Sequence, residues 1–265
     1  MNNIKVLAII QARMSSSRLP KKILLKIKKK SILEIIYKNL EKINSIDKVI
    51  IATSRNKSDK ELSNYCKKKK FNFFEGSLNN VLNRFIEIIK IYNPSYIVRV
   101  TADCPIIDPN VLDTFIKALK ENNSDCLFFS HPTSLLSGYD VYSSKLLMQV
   151  AKKSKNKKDK EHVGSFYIKK NLKKFKTLKV ILPKYLRTNK YKLSIDTKKD
   201  YLKIKKLLEA YSFKKIHIKK IFETLNKNPK LAIKHTKNNF SADNRQVKKI
   251  KIDKNNYISK LHLKL

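Results

Sequence analysis

Between Ile9 and Lys22 the chain reads IIQARMSSSRLPKK, which sets Arg13, Arg18, Lys21 and Lys22 around three serines, Ser15, Ser16 and Ser17, directly after an apolar run. Cations and small side chains on a turn after a buried strand suit phosphate oxygens, which the loop's own N–H groups also reach. Two carboxylates stand where comparable runs end. Asp103 closes YIVRVTAD, and Asp196 closes the strand-like LSID, with Asp200 four residues on. Ligands of open α/β sheets bind beyond the carboxyl ends of the strands, so a basic loop and two acids at that edge face one crevice. The set fits a nucleoside triphosphate with Mg2+: Arg and Lys on phosphate oxygens, and two carboxylates from separate strands on a hard ion that keeps some waters. Taken singly, each has a plainer reading. An Asp after a strand is more often a turn or cap residue, and a basic loop in a Lys-rich chain is more often solvated surface. Their shared position favours chemistry.

The loop carries neither G-x-x-x-x-G-K-[ST] nor G-x-G-x-x-G. With only Gly76, Gly138 and Gly164 in the chain, the serines must take the place of a glycine-rich cradle.

The elements that position these residues follow from periodicity. KVLAII, KVIIATS, FNFFEG and YIVRVTAD are short runs of Val, Ile and Phe that read as strands. Between them Ile32, Ile35, Ile36, Leu40 and Ile43 recur at helix spacing, as do Leu82, Phe85, Ile86 and Ile89. Ser31 with Glu34 and Ser58 with Glu61 form S-x-x-E capping boxes, and Asp108 before Pro109 reads as a helix cap. Strands alternating with helices predict a doubly wound α/β domain, its mainly parallel sheet covered by helices on both faces. After about residue 125 the rhythm loosens. KLSIDTKKDYLKIKKLLEAY reads as strand, turn and helix, and residues 236–265 read as a basic C-terminal tail with little periodicity.

The formal charge of +40 invites a nucleic-acid or anionic-surface partner, but only 7 of the 61 basic residues are Arg, and the Lys are spread along the whole chain. Arg is the usual bidentate reader of phosphates and bases. With no RNA-binding aromatic motif and no Arg-led recognition helix, nucleic acid is the disfavoured reading. Cys66, Cys104 and Cys126 form no C-x-x-C pair, which suits a reducing compartment. No run approaches the roughly 18 apolar residues of a membrane span, so a cytoplasmic protein is expected. Cys104 is expected to be a small buried neighbour of Asp103 rather than a nucleophile.

The stretch IIQARMSSSRLPKKIL resembles the opening motif of the spore-coat polysaccharide biosynthesis protein F family, relatives of the CMP-KDO and acylneuraminate cytidylyltransferases. The likeness continues in order through EGSLNNVLNRF, VRVTADCPIIDP, GYDVYS, EHV and LSIDTKKDY, covering residues 4 to about 235. The resemblance implies a Rossmann-like, GT-A-like nucleotidyltransferase domain over residues 1–235 and a Mg2+-dependent transfer of CMP from CTP to a sugar acid, 3-deoxy-2-ulosonic or acylneuraminate-like, for polysaccharide or surface-glycan biosynthesis. It also implies a homodimer. By position, Arg13, Arg18 and Lys22 bind the triphosphate on the loop that holds Ser15, Ser16 and Ser17, and Asp103 and Asp196 hold Mg2+. Arg13, Lys22 and Asp103 are the catalytic set. Ala12, Ser77 and Arg84 lie near base and ribose; Gly138, Asp140, Glu161 and His162 face the sugar.

Lys192 or Arg187 is the candidate cation for the acid group. A related nucleotidyltransferase or glycosyltransferase using another nucleotide is the nearer alternative. Lys21 stands where the family has Gly, so this turn is expected to avoid positive φ or distort. Ser15 likewise replaces a common Gly, and Lys160 replaces Arg before EHV.

Overall fold

The computed structural model describes residues 4–211, 216–233, 249–252 and 258–259. In chain order, β1 (Val6–Gln11) leads through a 3-10 turn (Lys22–Leu24) to the hairpin β2 (Lys26–Ile27) and β3 (Lys30–Ser31). Next come α1 (Ile32–Leu40), β4 (Lys48–Ser54), α2 (Lys60–Lys68), β5 (Phe73–Gly76), α3 (Val81–Tyr92), β6 (Tyr96–Thr101) and α4 (Pro109–Glu121). There follow β7 (Cys126–Phe129), β8 (Tyr139–Ser143), α5 (Ser144–Lys153), α6 (Lys157–Glu161), α7 (Ser165–Lys170) and β9 (Thr177–Ile181). The remaining elements are α8 (Lys198–Glu209), α9 (Ile218–Lys227), β10 (Lys249–Ile252) and β11 (Ile258–Ser259).

One sheet runs β5-β4-β1-β6-β8-β7-β9-β10-β11. Pairing is parallel from β5 to β6 and along β7, β9 and β10, while β8 runs antiparallel to both of its neighbours. The expected doubly wound, mainly parallel architecture is therefore the one observed. Alternation along β1 explains its two-sided burial: Val6, Ala8 and Ile10 pack with α1 and α4 residues on one face, Leu7 and Ile9 with α3 and α5 residues on the other. Each fully buried Ile or Leu of this kind contributes roughly 1.5–3 kcal/mol. The chain leaves β1 towards β4 and β5 on one side and returns as β6 on the other, so the loops after β1 and β6 diverge and open a crevice.

Two local expectations change. The Ser58 capping box does not form: a 3-10 turn (Lys57–Asp59) capped by the Asn56 side chain precedes α2, and Asp59 is drawn inward instead. LSIDT is no strand. Tyr191 makes an isolated bridge, and the residues after it form an extended segment whose Ile195 N–H donates to the Asp103 carbonyl at 2.9 Å. Of the expected tail, Lys249–Ile252 pairs parallel with β9 and antiparallel with Ile258–Ser259; the rest of 236–265 lies outside the described residues. The Asp108 cap forms as expected, accepting from the N–H groups of Asn110 and Val111.

Candidate active site

The basic loop is pinned at its middle and free at its rim. Ala12 N–H donates to the Ala52 carbonyl at 3.1 Å, and Met14 N–H donates to Asp59 Oδ1 at 2.7 Å. Asp59 is fully buried and also accepts from the Ser54 hydroxyl. The Met14 carbonyl accepts from Ser16 N–H and Lys21 N–H, both at 3.0 Å. With Met14 buried, Arg13, Ser15, Ser17 and Arg18 are left exposed to solvent and Ser16 half-buried. Lys21 takes φ 57°, so the turn keeps the left-handed backbone that a glycine would adopt freely, and the lysine reaches Glu61 at 2.6 Å. Ser15 needs no such conformation.

Past this turn Lys22 points into the crevice. Its Nζ donates to Asp103 Oδ2 at 2.7 Å, to the Ile195 carbonyl at 2.6 Å and to Asp196 Oδ1 at 3.3 Å. The side chain is only 12% exposed, so these charge-assisted bonds are shielded from water. Arg18 reaches the same Asp196 Oδ1 at 2.8 Å, and Lys192 reaches its Oδ2 at 2.8 Å. Burial alone would raise the Asp196 pKa, but the Lys192 bond and the charges of Lys22, Lys192 and Arg18 outweigh it and hold the carboxyl below its ordinary value. Asp200 completes the group. It bonds Lys192 Nζ at 2.8 Å and the N–H groups of Asp196 and Thr197 at 3.0 Å, closing a capping box at the start of α8.

A second cluster lies beside the first. Arg13 faces Glu161 at 3.7 Å, which brings the end of α6 over the loop. On β6 the buried Arg99 bonds Gln11 at 2.9 Å and Asp140 at 2.6 Å. His162, packed edge-on to Phe166, has its pKa lowered first by burial, with Glu161 opposing and Arg99 adding to the shift. The shift favours the neutral imidazole.

Some expected residues take other places. Arg84, expected near base and ribose, is buried with its guanidinium on the Ala52 carbonyl at 3.1 Å, and burial pushes it down to about 10. It braces the seat of the loop. Ser77 accepts from Asn80 N–H just before α3. Gly138 takes φ 97° with its Cα pressed on Cys104, where a Cβ would fall 2.3 Å from the cysteine Cβ, so its part is steric. Cys104 is buried and burial raises its thiol pKa, as expected of a packing residue. Lys192 stands in the aspartate cluster, whereas Arg187 is exposed and bonds the Leu182 carbonyl. Asp59, Gln11 and Arg99 were missed in the sequence. For the last two a signal existed: each is a polar residue on the same face, near the carboxyl end of an otherwise apolar strand.

Among the described residues no three His, Cys, Asp or Glu side chains gather as a metal cage. Two carboxylates and a carbonyl around one ammonium do suit a hard cation that completes its shell with phosphate oxygens and water. Asp103, Asp196 and the Ile195 carbonyl are the groups that would hold Mg2+.

The sequence profile of the cytidylyltransferase family matches residues 7–224. This chain belongs to that family. The cytidylyltransferase is 33% identical over 233 residues to the spore coat polysaccharide biosynthesis protein SpsF of Bacillus subtilis, covering 86% of this chain and 96% of that one. It is 34% identical over 228 residues to an uncharacterized protein of Methanocaldococcus jannaschii, covering 86% and 93%. Among solved structures, a cytidylyltransferase from Leptospira borgpetersenii aligns with TM-score 0.78 at 27% identity, over 90% of this chain and all of that one. A CMP-2-keto-3-deoxy-manno-octonic acid synthetase in complex with CTP shares the Rossmann-like fold at TM-score 0.60 and 15% identity, over 78% and 99%.

Proposed function

We propose that this cytidylyltransferase transfers CMP from CTP to a sugar acid, with Mg2+ as cofactor. The observation that carries the reading is the meeting of Arg18, Lys22, Asp103 and Asp196 at the crevice beyond β1 and β6. An acceptor hydroxyl oxygen attacks the α-phosphorus in line, a P–O bond to CMP forms as the hydroxyl proton leaves to water, and the bond to pyrophosphate breaks. Negative charge spreads over the phosphate oxygens, so positioning and electrostatics supply most of the acceleration. Arg13, Arg18 and Lys22 hold those oxygens, with Ser15, Ser16 and Ser17 on the loop that presents them. Magnesium, when bound, neutralises the departing pyrophosphate and acidifies the attacking hydroxyl. Asp140, Glu161 and His162 line the acceptor side. The same reading has the enzyme act as a homodimer in the cytoplasm; no helix among the described residues is long and apolar enough to cross a membrane.

Purified protein given CTP, Mg2+ and a panel of ulosonic acids should release pyrophosphate. CTP should raise the melting temperature more than UTP, GTP or ATP. Asp103→Asn should abolish turnover while the fold survives. Silence across the panel, together with no CTP binding by calorimetry, would defeat the reading.

One observation favours a second acceptor class. Arg99 is already bonded to Asp140, and Lys192, the candidate cation for an acid group, is bonded to Asp196 and Asp200, so both have acidic partners. A neutral polyol would ask for no further cation there. Pyrophosphate release with polyols and none with acids would select it.

A further inference from the structure

Lys22 fills the place where a cation would sit. An ammonium has three N–H donors, and all three of Lys22 are spent on Asp103 Oδ2, the Ile195 carbonyl and Asp196 Oδ1. These are hard oxygens of the kind that ligate Mg2+ or Mn2+. Because one nitrogen touches both carboxylates, the two acid oxygens lie no further apart than the sum of their distances to it. The remaining capacity of Asp196 is taken by Arg18 and Lys192. A divalent ion entering this arrangement would compete for the same oxygens and meet three positive side chains at close range.

We propose that the Lys22 ammonium is a resident stand-in for the divalent cation, so that the ion gains Asp103 and Asp196 only after a triphosphate has drawn Lys22, and with it Arg18, onto its own oxygens. This rests on the reading that the triphosphate binds the loop from Arg13 to Lys22. The long, rotatable lysine stem permits the exchange, and the divalent ion returns to the aspartates the positive charge that leaves with Lys22 and Arg18. Metal and nucleotide then bind as coupled ligands: each raises the affinity for the other by the same factor. The free enzyme keeps its two acids paired and turns away divalent ions that arrive alone.

The test needs no turnover. Full-length, nucleotide-free protein is titrated with Mn2+ while free Mn2+ is followed by electron paramagnetic resonance. Wild type should bind weakly, and Lys22→Met should bind roughly tenfold tighter or better, within the range usual for coupled sites. Adding Asp103→Asn to Lys22→Met should remove that gain. Lys22→Gln, which keeps an uncharged NH2 group with two donors, replaces the Met variant if circular dichroism shows the latter unfolded. Equal Mn2+ affinity in wild type and variant, or no binding by either, overturns the proposal. Calorimetry of CTP with wild type in chelator separates the two ideas. CTP binding with unchanged Mn2+ affinities removes only the stand-in, whereas absent CTP binding removes the nucleotide reading and the trigger with it.

Discussion

Lysine occupies backbone conformations here that ordinarily belong to glycine or asparagine. Lys21, Lys28, Lys29 and Lys70 all have φ between 46° and 66°. The left-handed region costs an L-residue roughly 1–2 kcal/mol, because Cβ crowds the following carbonyl. Lys28 and Lys29 form the two-residue turn between β2 and β3, a place where Asn-Gly is the favoured pair. Lys29→Gly should therefore stabilise the protein by about 0.5–1 kcal/mol, the relief of strain being partly offset by the added freedom of glycine in the unfolded chain. A rise in the urea midpoint at unchanged slope would show it; a fall would mean that the turn is not strained. Lys21 carries the same lesson at the site. From the sequence its turn is expected to avoid positive φ or distort, and it does neither: the two bonds to the Met14 carbonyl and the ion pair to Glu61 hold the backbone where a glycine would put it. A side chain tolerated at a cost leaves no mark in composition.

At the scale of the element, the start of α8 shows how the aspartates are fixed. Asp200 accepts from two backbone N–H groups and from Lys192, and those bonds, with the Lys192 charge, hold its pKa below the ordinary value although burial alone would raise it. A carboxyl depressed in the folded state adds stability that is present above its unfolded value of about 3.9 and is lost as pH falls through the lower folded value. Asp200→Asn should cost about 1 kcal/mol at pH 7, the usual worth of such a cap. The gap to wild type should close as pH drops below about 4. Urea melts at descending pH from 7 measure this, and a gap that does not narrow as pH falls below about 4 would show a steric rather than a charge effect. The strands β1, β4, β5 and β6 were legible because runs of Val, Ile and Phe, followed by polar turns, leave few alternatives. The LSIDT segment has the same alternation, with Leu193 and Ile195 buried, but a strand needs a neighbour, and these residues run beside the loop after β6 instead. Partner choice is a tertiary fact. Asp196 nonetheless reaches the crevice, where it meets Lys22 and Arg18. The Ser58 box failed for a similar reason: Asp59 gains more from the buried N–H of Met14 and the Ser54 hydroxyl than a surface cap would give.

For the whole molecule the excess of forty positive charges acts in two opposed directions. Spread over a folded domain, like charges repel more than in the expanded chain, so the excess weakens the fold at low ionic strength. On the proposed reading, the same field draws a triphosphate towards the loop of Arg13, Arg18 and Lys22 at the crevice. Salt screens both, with a Debye length near 10 Å at 0.1 M and about 3 Å at 1 M. Raising sodium chloride from 0.05 to 0.5 M should therefore raise the melting temperature of the nucleotide-free protein while weakening CTP binding severalfold. Chloride is preferred to sulfate or phosphate, which would compete for the loop itself. A protein whose charge served nucleic acid would show a different pattern: affinity for DNA or RNA falling steeply over the same range and indifferent to Asp103→Asn. If salt lowered the melting temperature, the ion pairs of Lys22, Arg18 and Lys192 would outweigh the general repulsion. The lysines elsewhere would then be close to neutral for stability.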